Sequence, residues 1–348
     1  MGSSLVPGLK LLPMSNKQMF EKSILVTGGA GFIGANFVSH FSKAYPHYRI
    51  IDLDALTYAA HPAVFELQAQ MGNVIPVKGN ICDVALIRQL LRQYSITGVI
   101  HFAAESHVDN SIANPLIFVE TNINGTANLL NECLNYWREI GCLESARFHH
   151  ISTDEVYGSL GTEGFFTEDT PYAPNSPYSA SKASSDLLVR AYAHTYGLNT
   201  TISNCSNNYG PWQHSEKFIP TIIRKCLAHE PIPVYGKGLN IRDWLWVGDH
   251  CQAIALIFHK GKTGESYNVG GHNERTNLQI VDTVCNVLNE LHPWNGHDYN
   301  ELLSFVNDRP GHDFRYAIDP SKISEELGWI SQTTFEQGIR QTVQWYLQ

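Results

Sequence analysis

The sequence of 348 residues is 43 % hydrophobic and 16 % charged, the balance of an ordinary soluble globular chain with room for one large core or a core plus a smaller lobe. Its 33 acidic and 24 basic residues leave a net charge of −9 with no long run of either sign, which argues against nucleic acid or an anionic membrane as partner. No apolar stretch approaches the ~20 residues of a membrane-spanning helix, and the seven cysteines are scattered without a CxxC pair, as expected of reduced thiols in a cytoplasmic protein with no metal site.

The opening "MGSSLVPGLKLLP" lacks the basic start and continuous apolar core of a signal peptide, so residues 1–13 read as an appended, unstructured leader. Short β-rich runs then alternate with segments of helical period: "SILVTG", a helix from about Gly31, "YRIIDLD", a second helix, "VIPVKG", a helix from about Asp83, and "GVIHFAA". A long helix over about 113–137 follows, then "RFHHIST", a helix starting near Pro177, and "LNTTISNCS". This order predicts an α/β fold built on a Rossmann-type, doubly wound parallel sheet of six or seven strands. Past Asn207 the regularity fades. Residues 14–206 are therefore expected to form a dinucleotide-binding domain and 207–348 mainly a smaller, mixed α/β substrate lobe, with segments from about 236–270 returning to the first.

Within "ILVTGGAGFIGANF" the glycines at 28, 31 and 34 stand between an apolar strand and an amphipathic helix. Gly28 allows a tight turn, Gly31 lets the backbone approach a pyrophosphate, and Gly34 lets helix and strand pack closely, with Phe32 and Ile33 opening the helix between them. A carboxylate that accepts hydrogen bonds from ribose hydroxyls belongs at the end of the second strand. Asp54 lies 20 residues after Gly34, and Asp52 is the alternative. An acid there repels a 2′-phosphate, so the expected cofactor is NAD. Further along, Tyr178 and Lys182 in "PYSASK" are four apart and share one helix face. An ammonium one turn away, together with a nicotinamide cation, would stabilise the phenolate and fit the tyrosine to take a hydroxyl proton while hydride leaves for NAD⁺. Two adjacent acids, Asp154 and Glu155, follow the apolar run "FHHIST" at a strand's end.

In this order, "TGGAGFIG", "HFAAESHVD", "STDEVYG" and "YSASK" resemble the extended short-chain dehydrogenase/reductases that act on nucleotide sugars. The resemblance runs from about Lys22 to the C-terminus and is strongest to the nucleotide-sugar 4,6-dehydratases, through "DALTYA", "NNYGPWQHSEKFIP" and "DRPGHDFRYAID". It implies an enzyme, a lyase that oxidises C4 of dTDP-glucose with NAD, eliminates water across C5–C6 and returns the hydride to C6, the entry to rhamnose and other deoxysugars. Glu155 is then implied as the base at C5 and Asp154 as the acid at the C6 hydroxyl, with Thr153 beside the C4 oxygen and Tyr178 and Lys182 as the oxidation pair. Epimerases of this family carry small or hydroxyl residues in place of the two acids. Dehydration of UDP-glucose, epimerisation and a non-catalytic NAD-binding scaffold remain the alternatives.

The resemblance also implies that Ala55, Leu56 and Thr57 flank the adenosine ribose and that Phe102, Ala103 and Ala104 line the cofactor, with Asn208 near it and Thr121 near the nicotinamide ribose. Asn80 and Ile81 would meet adenine, although the family usually carries Asp at position 80. Ser106 would face the sugar. Arg242, Asn207, Lys217 and Asn277, with Phe218 beside them, would form the donor-rich cradle that two phosphate charges need in a chain of net charge −9. Pro233 and Tyr235, together with Asp308, Arg309, His312 and Tyr316, would hold the base, its ribose and the sugar. A homodimer paired through the helices at about 113–137 and 178–196 is implied as well.

Overall fold

The computed structural model describes residues 20–308 and 313–348; the leader, Arg309 and His312 lie outside that range. The described residues form thirteen strands: β1 Lys22–Thr27, β2 Tyr48–Asp54, β3 Val74–Lys78, β4 Ile96–His101, β5 Arg147–Thr153, β6 Thr200–Cys205, β7 Asn207–Tyr209, β8 Ile232–Tyr235, β9 Ile241–Trp246, β10 Ser266–Val269, β11 Glu274–Thr276, β12 Leu303–Val306 and β13 Arg315–Tyr316. The main sheet has seven parallel strands in the order β10-β6-β5-β4-β1-β2-β3. The six apolar runs of the first two hundred residues supply six of them, and β10 adds the seventh beyond β6. Both faces of this sheet are buried, which is why its strands read as continuous apolar runs and not as alternating ones. Ile24 and Val26 of β1 enter one core with Phe37, Phe41 and Ile254, while Leu25 enters the other with Ile51, Trp137 and Phe148.

The helix Pro177–Tyr196 begins where the sequence places it. Pro177 occupies the first turn, Ser176 and Ser179 form a reciprocal capping box, and Gly197 closes the helix in the left-handed region at φ +70°. The long helix expected over 113–137 is instead broken into Val108–Ala113, Pro115–Phe118, a π-helical segment Val119–Gly125 and Thr126–Glu139. Asn114, held out of the helical region before Pro115, separates the first two pieces, and side chains around Asn122 account for the π segment. Its carbonyl accepts from Thr126 Oγ1 at 2.6 Å and Ser185 Oγ at 2.7 Å, and its buried amide donates to Glu105 O at 3.0 Å and Ser181 Oγ at 2.8 Å. These tertiary bonds outweigh the regular ladder locally, as π segments near functional sites often show.

The C-terminal portion builds a second core around Tyr209, Trp244, Ile280 and Phe335 from the helices Phe218–Leu227, Asn277–Leu291 and Phe335–Tyr346. In it β9 pairs with β7, β11 and β13, and β8 pairs with β12. The helix Val247–Lys260 departs from this portion to cover the main sheet beside Phe32–Ala44.

Candidate functional site

Strand order reverses between β1 and β4, and ligands of open α/β sheets bind outside the carboxyl ends of the strands at such a point. Here β1 turns on Gly28, whose φ of +79° lies in the region that favours glycine. A Cβ on Gly28 would stand 2.7 Å from Ala103 N, and one on Gly34 would stand 2.2 Å from Gly28 O, so the loops after β1 and β4 and the following helix close on each other only through glycine. Gly31 caps the helix Phe32–Ala44 without a side-chain acceptor, which leaves first-turn N–H groups for a ligand. Asp54 ends β2, and its carboxylate accepts from Ala30 N at 2.9 Å and Leu56 N at 2.7 Å. Asp52 instead lies wholly buried beneath the turn, where it accepts from Gly29 N at 2.9 Å. Burial, and then Asp54, push its carboxyl up to about 8.

At the other end of the cavity β5 stops at Thr153, and a 3₁₀ turn, Asp154–Tyr157, carries the two acids before Gly158 at φ +95°. The Thr153 hydroxyl is a hub: it accepts from Glu155 N at 3.3 Å, donates to Asp154 Oδ1 at 3.3 Å and is a hydrogen-bond partner of the Tyr178 phenol. Asp154 is buried, and its Oδ2 finds no hydrogen-bond partner among the described residues. Burial first, then Glu155 and Asp243, hold its carboxyl well above the ordinary carboxylate range, with Arg242 opposing. Asp154 is thereby equipped to hold a proton near neutral pH. The Tyr178 phenol is raised too, by burial and then by Glu155, and Lys182 is not among the groups that act on it. The reason is visible in the lysine's aim: Lys182 Nζ donates to Ile151 O at 2.7 Å and lies 3.4 Å from His150 Nε2.

A single cavity of about 330 Å³ joins the two ends. Its walls bring together Gly28, Gly31, Phe32, Ile33, Gly34, Asp54, Ala55, Thr57, Asn80 and Ile81 with Phe102 to Ala104, Ser106 and Thr121. They also include Thr153, Asp154, Glu155, Tyr178, Lys182, Asn207, Asn208 and Lys217. Asn80 Oδ1 accepts from Cys82 N at 2.8 Å, and Lys217 Nζ donates to Ser106 O at 3.1 Å across the mouth. Leu56, Phe218, Pro233, Tyr235, Arg242, Asn277, Asp308 and Tyr316 do not line the cavity. Leu56 has a backbone φ of +53°. Arg242 is buried over the Tyr316 ring, 4.3 Å from its centroid, and donates to Ile241 O and Asp313 O at 2.7 and 2.9 Å. Both residues still border the acids, since Arg242 acts on Asp154 and Glu155 acts on the Tyr316 phenol. Sequence reasoning missed Glu105, Cys205, Ser206, Gln213, His214 and Glu216, all on the cavity wall. Cys205 and Ser206 were legible in principle, because they stand at the carboxyl end of a parallel strand next to β5.

The profile of the family described as GDP-mannose 4,6 dehydratase matches residues 25–342. The chain belongs to that family. Among relatives, a dTDP-glucose 4,6-dehydratase of Xanthomonas campestris pv. campestris (strain B100) is 53 % identical over 328 residues, covering 93 % of this chain and 92 % of its own. The solved structure of DesIV, a dTDP-glucose 4,6-dehydratase from Streptomyces venezuelae with NAD and TYD bound, matches with TM-score 0.85 and 43 % identity, over 93 % of this chain and 97 % of that one. A UDP-glucose 4-epimerase of Thermotoga maritima with UDP-glucose matches with TM-score 0.81 at 26 % identity, over 93 % and 98 %. The GDP-mannose 4,6 dehydratase family thus shares its architecture with epimerases.

Proposed function

We propose that the protein is an NAD-dependent dTDP-glucose 4,6-dehydratase that forms dTDP-4-dehydro-6-deoxy-glucose. The observation that carries this reading is the buried Asp154, its carboxyl pushed up by burial and by Glu155 beside it, in one cavity with Tyr178 and Lys182. An epimerase has no use for a second acid–base pair, whereas elimination needs a base at C5 and an acid at the C6 hydroxyl. The glycine turn, the uncapped helix start at Gly31 and the Asp54 carboxylate suit NAD, which supplies the hydride acceptor at C4 and the later donor to C6. Tyr178 takes the C4 hydroxyl proton, with Thr153 hydrogen-bonded to the same oxygen. Glu155 takes the C5 proton, and Asp154 gives its proton to the departing C6 oxygen. The lobe around Tyr209 and Trp244 holds the nucleotide diphosphate in our reading, with Lys217 at the cavity mouth and Arg242 bracing the acids.

The test is incubation with dTDP-glucose and, separately, UDP-glucose, following the alkaline absorbance of the 4-keto product. Product from neither would sink the dehydratase reading, and a 4-epimer from UDP-glucose would replace it. We further propose a cytoplasmic homodimer. Exposed Leu116, Ile112 and Ile117 on one segment and Leu187 on the neighbouring helix form an apolar surface that a second copy would cover.

A further inference from the structure

Lys182 is an ammonium that the fold has taken out of water. It is 4 % exposed, and no carboxylate of the described residues lies within ion-pair distance of its Nζ. Its hydrogen-bond acceptor is the Ile151 carbonyl at 2.7 Å, and His150 Nε2 lies 3.4 Å away. A buried amine without a compensating charge loses its proton near neutrality. Directly behind it lies an unusual carboxylate. Asp186, one helical turn after Lys182, is fully buried, and its Oδ2 accepts from Ser152 Oγ at 2.7 Å, Tyr172 Oη at 2.9 Å and Asn204 Nδ2 at 3.3 Å. Those donors come from β5, β6 and the loop before the helix. His150 stands between the two charges, with Nε2 3.4 Å from Lys182 Nζ and 3.2 Å from Asp186 Oδ1. The tautomer with the proton on Nε2 donates to Asp186 and avoids a lone pair facing the carboxylate.

We propose that Asp186 is the counter-ion that, across His150, keeps Lys182 charged for oxidation at C4, a positioning residue that acts through the lysine. The proposal rests on the dehydratase reading for its purpose, and on the geometry above for its existence. The groups around the lysine are consistent with it. Burial lowers Lys182 and Asp186 holds it up, leaving it at about 8. Burial and Lys182 push His150 down to about 4, so the ring between them is neutral. Burial opposes the Asp186 charge, yet His150, Lys182 and Ser152 together keep its carboxyl below the ordinary range. Of the other neighbours, Cys205 and Tyr172 are held neutral by burial, His101 is neutral at 5.2 Å from the His150 ring, Arg190 donates to Tyr172 Oη at 3.1 Å, and Glu155 shares the cavity wall but is not among the groups that act on the lysine. A carboxylate so well supplied with donors, and so far from solvent, has a charge to deliver inward.

Two readouts test the proposal. First, the ε-carbon of ¹³C-labelled lysine is titrated by NMR in the purified protein, with Lys182→Met assigning the signal. A midpoint at about pH 7 or above for Lys182 supports a counter-ion, and a midpoint below that overturns it. This needs neither turnover nor a variant of Asp186, so it stands even if the enzyme accepts another sugar nucleotide or Asp186→Asn fails to fold. Second, kcat/KM is measured against pH for wild type, Asp186→Asn and Asp186→Glu. Removal of the charge is expected to move the alkaline limb down by about one pH unit or more, while Asp186→Glu keeps it near wild type. A purely structural role would lower kcat/KM by one factor at every pH with the limb unmoved, and that result would overturn the proposal.

Discussion

Replacing Asp154 by Asn tests the assignment of acid and base most directly. The amide is isosteric and can still take the Thr153 bond at 3.3 Å, while its nitrogen occupies a position that finds no partner among the described residues as oxygen. Because burial, Glu155 and Asp243 push the native carboxyl toward its neutral form, an uncharged amide of the same shape suits the site, and folding should be retained. What disappears is a releasable proton. General-acid assistance contributes about 10²–10⁴-fold, or roughly 3–5 kcal/mol of barrier, so elimination should slow by that factor. Oxidation at C4 should proceed at the wild-type rate. In a rapid-mixing experiment with dTDP-glucose, the reduced-nicotinamide absorbance would rise in a burst and persist, and the 4-keto-6-deoxy product would form slowly. Solvent deuterium adds a second discrimination. Asp154→Asn should still exchange the C5 hydrogen through Glu155, whereas Glu155→Gln should not. Product formation within about tenfold of wild type in Asp154→Asn, or the reverse exchange pattern, would refute the reasoning.

Gly28→Ala places a Cβ 2.7 Å from Ala103 N at a backbone φ of +79°; loss of NAD binding by fluorescence titration is the expected outcome, with a fall in melting temperature. Asp52 yields a stability prediction with a definite sign. Its carboxyl stands at about 8 when folded and near 3.8 when unfolded, so the folded state binds the extra proton in that window. Stability must then fall as pH rises from about 4 to about 8, by at most about 1.4 kcal/mol per unit from this group. Asp52→Asn should flatten that slope in chemical denaturation, and an unchanged slope would show Asp52 ionised in the fold. Leu187→Asp and Leu116→Asp should turn a dimer into a monomer by light scattering; a wild-type monomer would dispose of the dimer proposal.

Much of this architecture was legible because its signals are local. Continuous apolar runs marked β1 to β6, and Pro177 with Ser176 and Gly197 marked both ends of the helix that carries Tyr178 and Lys182. The glycine turn was readable because each glycine meets a neighbour only a few residues away or one adjacent strand across. The π segment was not, since its cause is the meeting of Asn122 with Glu105, Ser181 and Ser185, which are distant in sequence. Nor was the upward shift of the Asp154 carboxyl, which comes first from its burial, then from Glu155 and Asp243, with Arg242 of β9 opposing. Where the ammonium of Lys182 points was not legible either. Four-residue spacing puts two side chains on one helix face, but the buried surroundings decide where an ammonium points. Periodicity likewise could not assign Arg242 and Tyr316, which stack on each other and border the acids from outside the cavity.

The late arrival of β10 has a consequence for how the chain reaches this state. β6 ends at Cys205, and the strand that covers its open edge begins only at Ser266. During synthesis the hydrogen-bonding edge of β6 is therefore left bare while the ribosome adds the intervening segment, most of which belongs to the other core. Such an edge is a template for pairing with another chain, and closing a contact over so long a loop slows folding. Chains truncated just after the first six strands should accordingly aggregate and not behave as a stable half-protein, and the yield of native protein should respond to chaperones that shield nascent strands.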